Sequence, residues 1–218
     1  MKAIVPAFNE EATVAAVVRA LANADVFAEI VVVDDGSTDR TSELAATAGA
    51  RVVATPQNLG KGGAMLYAID VACGDDEHVA FFDADLVGLR PEHAQRLAAA
   101  SAQGYDMVCA LRDKGAVQNA LQIAFSPVIT GERILARWVI DALPSSCWSG
   151  YSIETAMNDA VHRNGGRAAL VFFDGVSMRT KSQKTGLIRG VRDHIRMARQ
   201  IAQTRRALNS TRGLSCRI

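Results

Sequence analysis

The first 112 residues alternate short apolar runs with segments of helical periodicity. Five runs are typical of strands, at 3–7, 29–33, 51–54, 79–82 and 106–111, and the β-branched run at 29–33 is typical of a buried parallel strand. Between the first two, Val14, Val17, Val18 and Leu21 recur at helical spacing. Such alternation predicts an α/β fold in which a mostly parallel, Rossmann-like sheet is flanked by helices with right-handed crossovers. We expect Asn9 to cap the first helix, and a loop at 58–63 to precede a helix at 64–72.

After residue 112 the predicted strands and helices no longer alternate regularly. Further helices are predicted at 133–142 and 153–164, a strand at 169–175, and another helix at 186–208. We therefore divide the chain into an α/β domain at 1–178, with halves 1–112 and 113–178, and a helical extension at 179–218. The mixture of 49% hydrophobic and 22% charged residues excludes a disordered, collagen-like or coiled-coil chain.

The net charge of +1 conceals a strong asymmetry along the chain. Residues 1–178 hold 13 Lys and Arg against 22 Asp and Glu, whereas residues 179–218 hold 11 against one. An acidic body with a basic extension suggests an anionic partner for the extension. The four cysteines are far apart and form no C-x-x-C pair, which favours a reducing, cytoplasmic setting without zinc. No secretory signal or membrane span is predicted.

Polar clusters follow three of the predicted strands, at 6–10, 34–39 and 83–85. Ligands of open parallel sheets bind beyond the carboxyl ends of the strands. Each cluster alone also fits a turn or a helix cap, but their common position indicates a binding site. Within it, Asp83 and Asp85 are two carboxylates that repel each other and favour a bound cation. Their oxygens suit Mg²⁺ or Mn²⁺, and a solvated acidic loop is the alternative.

The segment 58–63 is rich in glycine and carries Lys61. It is not a P-loop, because no Ser or Thr follows Lys61, and no G-x-G-x-x-G follows the first strand. A nicotinamide-binding domain is therefore disfavoured. Lys61 at the start of a helix can still meet a phosphate, and a plain loop is the alternative.

The motifs PAFNEE, VVVDDGSTDRT, NLGKGGA and FFDADL, in this order, resemble family-2-type glycosyltransferases of the GT-A fold. The resemblance implies a nucleotide-sugar donor site. The implied nucleoside pocket consists of Pro6, Ala7, Asn9 and Glu10, with Asp34 and Asp35 at the base or ribose. Gly60 and Lys61 match the segment along the ribose and diphosphate. Asp83, Ala84 and Asp85 match the metal-binding D-x-D, with Asp83 and Asp85 as ligands.

In the second half, the segments TGER at 130–133, GYSIE at 150–154 and VSM at 176–178, the last followed by Lys181, Lys184 and Gly186, are similar to those of one subgroup. This subgroup resembles polyprenyl-phosphate sugar transferases and glucosyl-3-phosphoglycerate synthases. This resemblance places Glu154 beside the reacting centre, where it is the first candidate general base and Asp159 the second. Were the acceptor an ionised phosphate, Glu154 would only position it. Relatives often carry a metal-binding His where this chain has Met178, a soft and weak ligand. The cation would then rest on Asp85 and the diphosphate, or the activity would be impaired.

Arg133, with Gly131 nearby and Arg137 one predicted helical turn on, forms a candidate acceptor-binding set; a solvated face is the alternative. In the extension, 187–208 sets an apolar stripe against arginines, a pattern typical of a helix on anionic lipid. Docking on the acidic body is the alternative. Nucleic acid is disfavoured because the segment lacks interleaved aromatic residues.

We predict a metal-dependent glycosyltransferase that moves a sugar from a UDP- or GDP-linked donor to a small-molecule or lipid-phosphate acceptor. It would be cytoplasmic, with peripheral contact to the inner face of the membrane through 187–208. The alternatives are a sugar-phosphate nucleotidyltransferase and a non-catalytic nucleotide-sugar-binding protein. The motifs decide neither base, sugar, acceptor, stereochemical outcome nor oligomeric state.

Overall fold

The computed structural model describes residues 1–119, 130–144, 147 and 153–179. The strands are β1 Lys2–Ala7, β2 Glu29–Asp34, β3 Arg51–Ala54, β4 His78–Phe81, β5 Leu86–Val87, β6 Met107–Arg112, β7 Arg133–Ala136, β8 Ala168–Phe173 and β9 Ser177–Met178. The helices are α1 Val14–Ala22, α2 Thr41–Thr47, α3 Gly60–Ala68, α4 Pro91–Ser101, α5 Arg137–Asp141 and α6 Ile153–Arg163. A π-helical turn, Ile69–Cys73, continues α3. The predicted helix at 186–208 lies outside the described residues, and the domain division stays a prediction.

Seven strands form one sheet in the order β3-β2-β1-β4-β7-β6-β8. Neighbouring strands are parallel except at β7, which runs antiparallel to both β4 and β6. β5 and β9 form a separate antiparallel ribbon. The predicted mostly parallel α/β sheet is therefore confirmed.

Helices cover the sheet on both faces. One apolar cluster joins side chains of α3, α5 and α6 to one face, and a second joins α1 and α4 to the other. Val31 and Val33 enter the first cluster and Val32 the second, all with no exposed surface. The continuous apolar run of β2 follows from this burial on both faces.

The predicted helix at 133–142 is wrong in its first half. Arg133–Ala136 is the strand β7, and a helix begins only at Arg137. Ile134 packs into one apolar cluster and Leu135 into the other, so the segment needs the alternating faces of a strand. Within the described part of the chain, no helix is long and apolar enough to cross a membrane.

Candidate functional site

One edge of the sheet collects most of the predicted site residues. β1, β2 and β4 are parallel, so the segments that follow Ala7, Asp34 and Phe81 leave the sheet at the same edge. β7 is antiparallel and therefore begins at this edge, where residue 133 pairs with Phe81. The first turns of α3 and α6 carry Lys61 and Glu154.

The segments that follow β1 and β2 are hydrogen-bonded to each other. The backbone N–H of Asn9 donates to Ser37 Oγ over 2.9 Å, and Asn9 Oδ1 accepts the Thr38 N–H over 2.8 Å. The N–H of Glu10 donates to Thr41 Oγ1 over 2.8 Å. Asn9 has a left-handed φ of 56° and does not cap α1, so that prediction is wrong. Its amide instead joins the two segments into one wall beside the end of β1, to which the predicted pocket residues Pro6 and Ala7 belong.

Asp34 and Asp35 are both buried, and protein donors hold both carboxylates. Asp34 accepts the N–H of Ser37 and the hydroxyl of Ser42. Asp35 accepts two donors at the start of α3, the N–H groups of Leu59 at 2.7 Å and Gly60 at 2.8 Å. The hydroxyl of Thr55, directly after β3, donates to it at 3.0 Å. The predicted loop at 58–63 is thus wrong, because Asp35 secures the first turn of a helix there. Asp35 thereby positions Lys61.

Lys61 lies between two carboxylates. Its Nζ is 2.7 Å from Asp83 Oδ1 and 2.9 Å from Glu154 Oε1. Burial alone would lower the pKa of Lys61, but Asp83 and Glu154 outweigh it and raise that pKa above its ordinary value. Glu154 is 5% exposed, and its Oε2 has no hydrogen-bond partner among the residues that the structure describes. The structure therefore brings together Lys61, Asp83 and Glu154, three residues that the sequence predicted.

Glu132 is a further acid at this edge, and it is not among the site residues predicted from the sequence. It is 3% exposed, and the Thr130 hydroxyl donates to its Oε2. Burial, and then the charge of Asp83, raise the pKa of Glu132 to about 7. The predicted helix at 133–142 hid the fact that Glu132 directly precedes a central strand. Gly131 is needed at its position, because a Cβ there would collide with the Asp83 carboxylate.

Arg133 and Arg137 do not form the predicted acceptor clamp. Arg133 is 1% exposed, and its guanidinium donates to Thr130 O at 2.5 Å and to Asn158 Oδ1 at 3.2 Å. It ties β7 to α6. Arg137 begins α5 beyond the far end of β7, at the opposite edge, where it donates to Asp141 and Gly74 O. A strand in place of the predicted helix is the physical reason, because it separates the two side chains along the sheet.

Asp159 lies on α6 and pairs with Arg163 at 2.5 Å, more than a helical turn beyond Glu154. This places it away from the Lys61 cluster and weakens its case as a base. Ala84 is buried in the core between Asp83 and Asp85. Asp85 directly precedes the ribbon, where Leu86 pairs with Met178.

The residues at this edge fit a hard divalent cation. Asp83, Asp85, Glu132 and Glu154 supply carboxylate oxygens, the donors that Mg²⁺ and Mn²⁺ prefer. Glu132 Oε1 is buried without a hydrogen-bond partner in the described part of the chain. Within the same residues, no three His, Cys, Asp or Glu side chains are grouped closely enough to hold a metal by themselves. Further ligands would have to come from a bound molecule. Met178, which the sequence suggested as a weak ligand, has its Sδ in contact with Arg112, from which it accepts a hydrogen bond.

Comparison with known proteins identifies the family. Residues 2–134 match the model of glycosyl transferase family 2. The match covers more than half of the chain, so the chain belongs to this family, and the resemblance inferred from the four motifs is confirmed.

Two curated relatives share the first part of the chain. Undecaprenyl-phosphate 4-deoxy-4-formamido-L-arabinose transferase of Pseudomonas paraeruginosa is 39% identical over 120 residues, which cover 50% of this chain and 34% of the relative. Glucosyl-3-phosphoglycerate synthase of Mycobacterium tuberculosis is 37% identical over 97 residues, which cover 40% of this chain and 29% of the relative. The matches thus span only about a third of the length of these curated relatives.

A solved structure supports the fold over most of the chain. The crystal structure of the Mycobacterium tuberculosis synthase with Mn²⁺, uridine-diphosphate-glucose and phosphoglyceric acid matches with a TM-score of 0.75 and 26% identity. The match covers 93% of this chain and 77% of that one. The predicted GT-A-type architecture is confirmed.

Proposed function

We propose that this chain forms the site of a glycosyltransferase that moves a sugar from a nucleoside-diphosphate sugar to a phosphate-bearing acceptor, with Mg²⁺ or Mn²⁺ as cofactor. The observation that carries the proposal is the ammonium of Lys61 between Asp83 and Glu154 at the carboxyl edge of the sheet. A cation among acids, on the first turn of a helix, suits a ligand that brings both a diphosphate and a divalent metal. The related synthase was crystallised with such a pair, Mn²⁺ and uridine-diphosphate-glucose.

The donor would lie along the wall formed by Pro6, Ala7, Asn9 and Glu10, with Asp34, Asp35 and Gly60 at its ribose side. Asp34 and Asp35 are already held by protein donors, so their first contribution is to fix the loops that surround the nucleoside. We propose uridine as the base, because the related synthase was crystallised with a uridine nucleotide.

Departure of the nucleoside diphosphate concentrates negative charge on the leaving group. A bound cation would neutralise part of that charge, and Asp83 and Asp85 would hold it. The Lys61 ammonium, fixed at 2.7 Å from Asp83, adds a second positive charge that needs no reorganisation during the reaction.

Glu154 faces the reacting centre in this proposal. One oxygen contacts Lys61 at 2.9 Å, and the other has no hydrogen-bond partner among the described residues. The second oxygen can accept the proton of an acceptor hydroxyl, or orient an acceptor that is already ionised. Arg133 and Arg137 have no part in acceptor binding.

The acceptor class rests on the names of the two curated relatives. One acts on undecaprenyl-phosphate and the other forms glucosyl-3-phosphoglycerate, so both names contain a phosphate ester. A lipid phosphate would agree with membrane contact through 187–208. That segment lies outside the described residues and its role stays a prediction.

The test is turnover of UDP-glucose with Mn²⁺ and either 3-phosphoglycerate or undecaprenyl phosphate. The quantity measured is the release of UDP. We expect Asp85→Ala to abolish release, because the variant loses a proposed metal ligand. Asp141→Ala, which removes an exposed carboxylate at the opposite edge, should leave it unchanged. Equal turnover by Asp85→Ala and the unmodified protein would contradict the donor-site assignment.

Met178 favours one alternative, a protein that binds nucleotide sugars without turning them over. Its thioether stands where related enzymes often place a metal-binding His, and it contacts Arg112. UDP-glucose binding without transfer or hydrolysis would support this alternative. Release of pyrophosphate from UTP and glucose 1-phosphate, with formation of UDP-glucose, would indicate a nucleotidyltransferase.

A further inference from the structure

A cluster of charged side chains lies just beyond β8 and is separate from the Lys61 site. Asp174 Oδ2 is 2.6 Å from Arg90 Nη2, and Asp174 Oδ1 is 2.6 Å from Arg96 Nη2. These hydrogen bonds from Arg96 and Arg90 hold the pKa of Asp174 well below its ordinary value. Arg90 directly precedes α4 and Arg96 lies in the middle of that helix, so the Asp174 carboxylate joins the end of β8 to α4.

A buried histidine anchors the same cluster. His93 has no exposed surface, and its ring stacks on Phe173 with 4.8 Å between centroids. His93 Nδ1 accepts the backbone N–H of Arg90 at 3.1 Å, and its Nε2 lies 3.4 Å from Asp174 Oδ1. An isolated exposed ion pair contributes little to stability, but here the buried His93 ring fixes the geometry of the groups around Asp174.

The cluster lies at one end of the ribbon that β5 and β9 form. The turn after β5 contains Gly88, and the turn before β9 contains Gly175, both with positive φ. The two turns touch so closely that a Cβ on Gly88 would collide with the carbonyl oxygen of Gly175. Asp174 and Arg90 therefore clamp together the two turns at one end of the ribbon.

Asp85 is at the other end of that ribbon. Leu86 pairs with Met178 and Val87 with Ser177, and the N–H of Arg179 donates to Asp85 O over 3.1 Å. A ribbon with only two residue pairs is too short to be stable alone. Leu86 anchors one residue pair of the ribbon in the apolar core, and the contacts of Asp174 hold the end that is farther from Asp85. The orientation of the ribbon, and with it the position of the Asp85 carboxylate, depends on both.

We propose that Asp174 is a positioning residue for Asp85: with Arg90, Arg96 and His93 it fixes the ribbon that places the Asp85 carboxylate at the cation site. The involvement of a cation rests on the proposed function. Residues that orient metal ligands typically change metal affinity by about 10–100-fold when they are replaced, and Asp174 acts in this way through the ribbon.

The test compares Asp174→Ala with Asp141→Ala, which removes a similarly exposed carboxylate from an arginine pair at the opposite edge. Hydrogen exchange without ligands should be about tenfold faster at 86–87 and 177–178 in Asp174→Ala. In the presence of UDP, the affinity of Asp174→Ala for Mn²⁺ should be about tenfold weaker. Electron paramagnetic resonance of free Mn²⁺ measures this affinity. With saturating Mn²⁺, kcat should stay within about twofold of the unmodified protein, because Asp174 touches no reacting atom.

Mn²⁺ affinity equal to that of Asp141→Ala would overturn the proposal, whether or not ribbon exchange changes. Arg96→Met leaves the Arg90–Asp174 pair in place, so it should change ribbon exchange and Mn²⁺ affinity in the same direction but by less. This variant replaces Asp174→Ala in the test if Asp174→Ala does not fold. If the unmodified protein binds no Mn²⁺ with UDP, the proposed function fails. The ribbon exchange needs no ligand and still shows whether Asp174 holds the ribbon.

Discussion

At Lys61, burial and charge act on one ammonium group in opposite directions. Burial favours the neutral amine, whereas Asp83 at 2.7 Å and Glu154 at 2.9 Å favour the charged form. Near a protein surface, each such pair interacts with about 4 kcal/mol at 4 Å, so two carboxylates exceed the cost of partial burial. Lys61 is therefore charged at neutral pH, and it can meet a phosphate without any change of protonation.

Glu132 makes the free energy of unfolding depend on pH. Its folded pKa of about 7 lies above the ordinary value of 4.5, so the folded protein keeps a proton that the unfolded chain releases. The contribution of Glu132 to stability is therefore full below pH 4.5 and is lost as the pH rises to 7. We predict that Glu132→Gln gains up to about 3 kcal/mol relative to the unmodified protein between pH 4.5 and 8.

Urea unfolding at several pH values, with a chelator present, measures this difference. The unmodified protein should lose stability with rising pH more steeply than Glu132→Gln. Parallel curves for the two proteins would show that Glu132 titrates normally.

Gly131 allows the Asp83 carboxylate to approach the backbone. We predict that Gly131→Ala costs about 1–3 kcal/mol, because the added methyl group displaces Asp83. The matched comparison is the same substitution in an Asp83→Ala background, where the collision is gone and the cost should fall. Thermal unfolding of the four proteins gives both costs. The same cost in both backgrounds would show that Gly131 is constrained by something other than Asp83.

At the scale of elements, the site depends on how α3 begins. Asp35 accepts the N–H groups of Leu59 and Gly60, and Lys61 is the next residue. We predict that Asp35→Ala costs about 1–3 kcal/mol, because buried donors lose their acceptor. It should also weaken UDP binding, because Lys61 is no longer held.

The control for Asp35→Ala is Asp106→Ala at the opposite edge. Asp106 likewise accepts two donors, the Trp138 indole and the Arg167 N–H, both at 2.7 Å. Urea unfolding should show a loss in both variants, whereas calorimetry with UDP should show weaker binding only in Asp35→Ala. Unchanged UDP affinity in Asp35→Ala would show that the start of α3 takes no part in UDP binding.

The elements also show what the sequence could predict. Four strands before residue 113, β1, β2, β4 and β6, were predictable because each is a local apolar run that is buried on both faces. The apolar residues of β3 also predicted a strand, although β3 is half-buried or exposed, and the two-residue strand β5 was not predicted. β7 was not, since Arg133 and Arg137 are spaced as on a helix and only pairing with β4 and β6 makes 133–136 a strand. The motifs predicted Lys61, Asp83 and Glu154 as site residues. The contact of Lys61 with Glu154, 93 residues apart, and the burial of Glu132 beside Asp83 are tertiary facts without a local signal.

At the scale of the whole molecule, the charge is divided along the chain. The acids at the sheet edge belong to 1–178, and the basic excess belongs to 179–218. Each Lys or Arg near an anionic membrane surface contributes about 1 kcal/mol to binding. We predict that a variant with Arg189, Arg192, Arg196 and Arg199 replaced by Gln sediments less with anionic vesicles than the unmodified chain does. Neutral vesicles are the control, and equal sedimentation of both proteins with anionic vesicles would exclude this role.

In the proposed function, the edge containing Asp83, Asp85 and Lys61 binds a nucleoside diphosphate together with a divalent cation. Calorimetric titration of UDP into the protein, with and without Mn²⁺, tests this for the unmodified chain and for Asp85→Ala. We expect binding that Mn²⁺ strengthens and that Asp85→Ala weakens at least about tenfold. UDP affinity that is the same with and without Mn²⁺, or the same in Asp85→Ala, would contradict it.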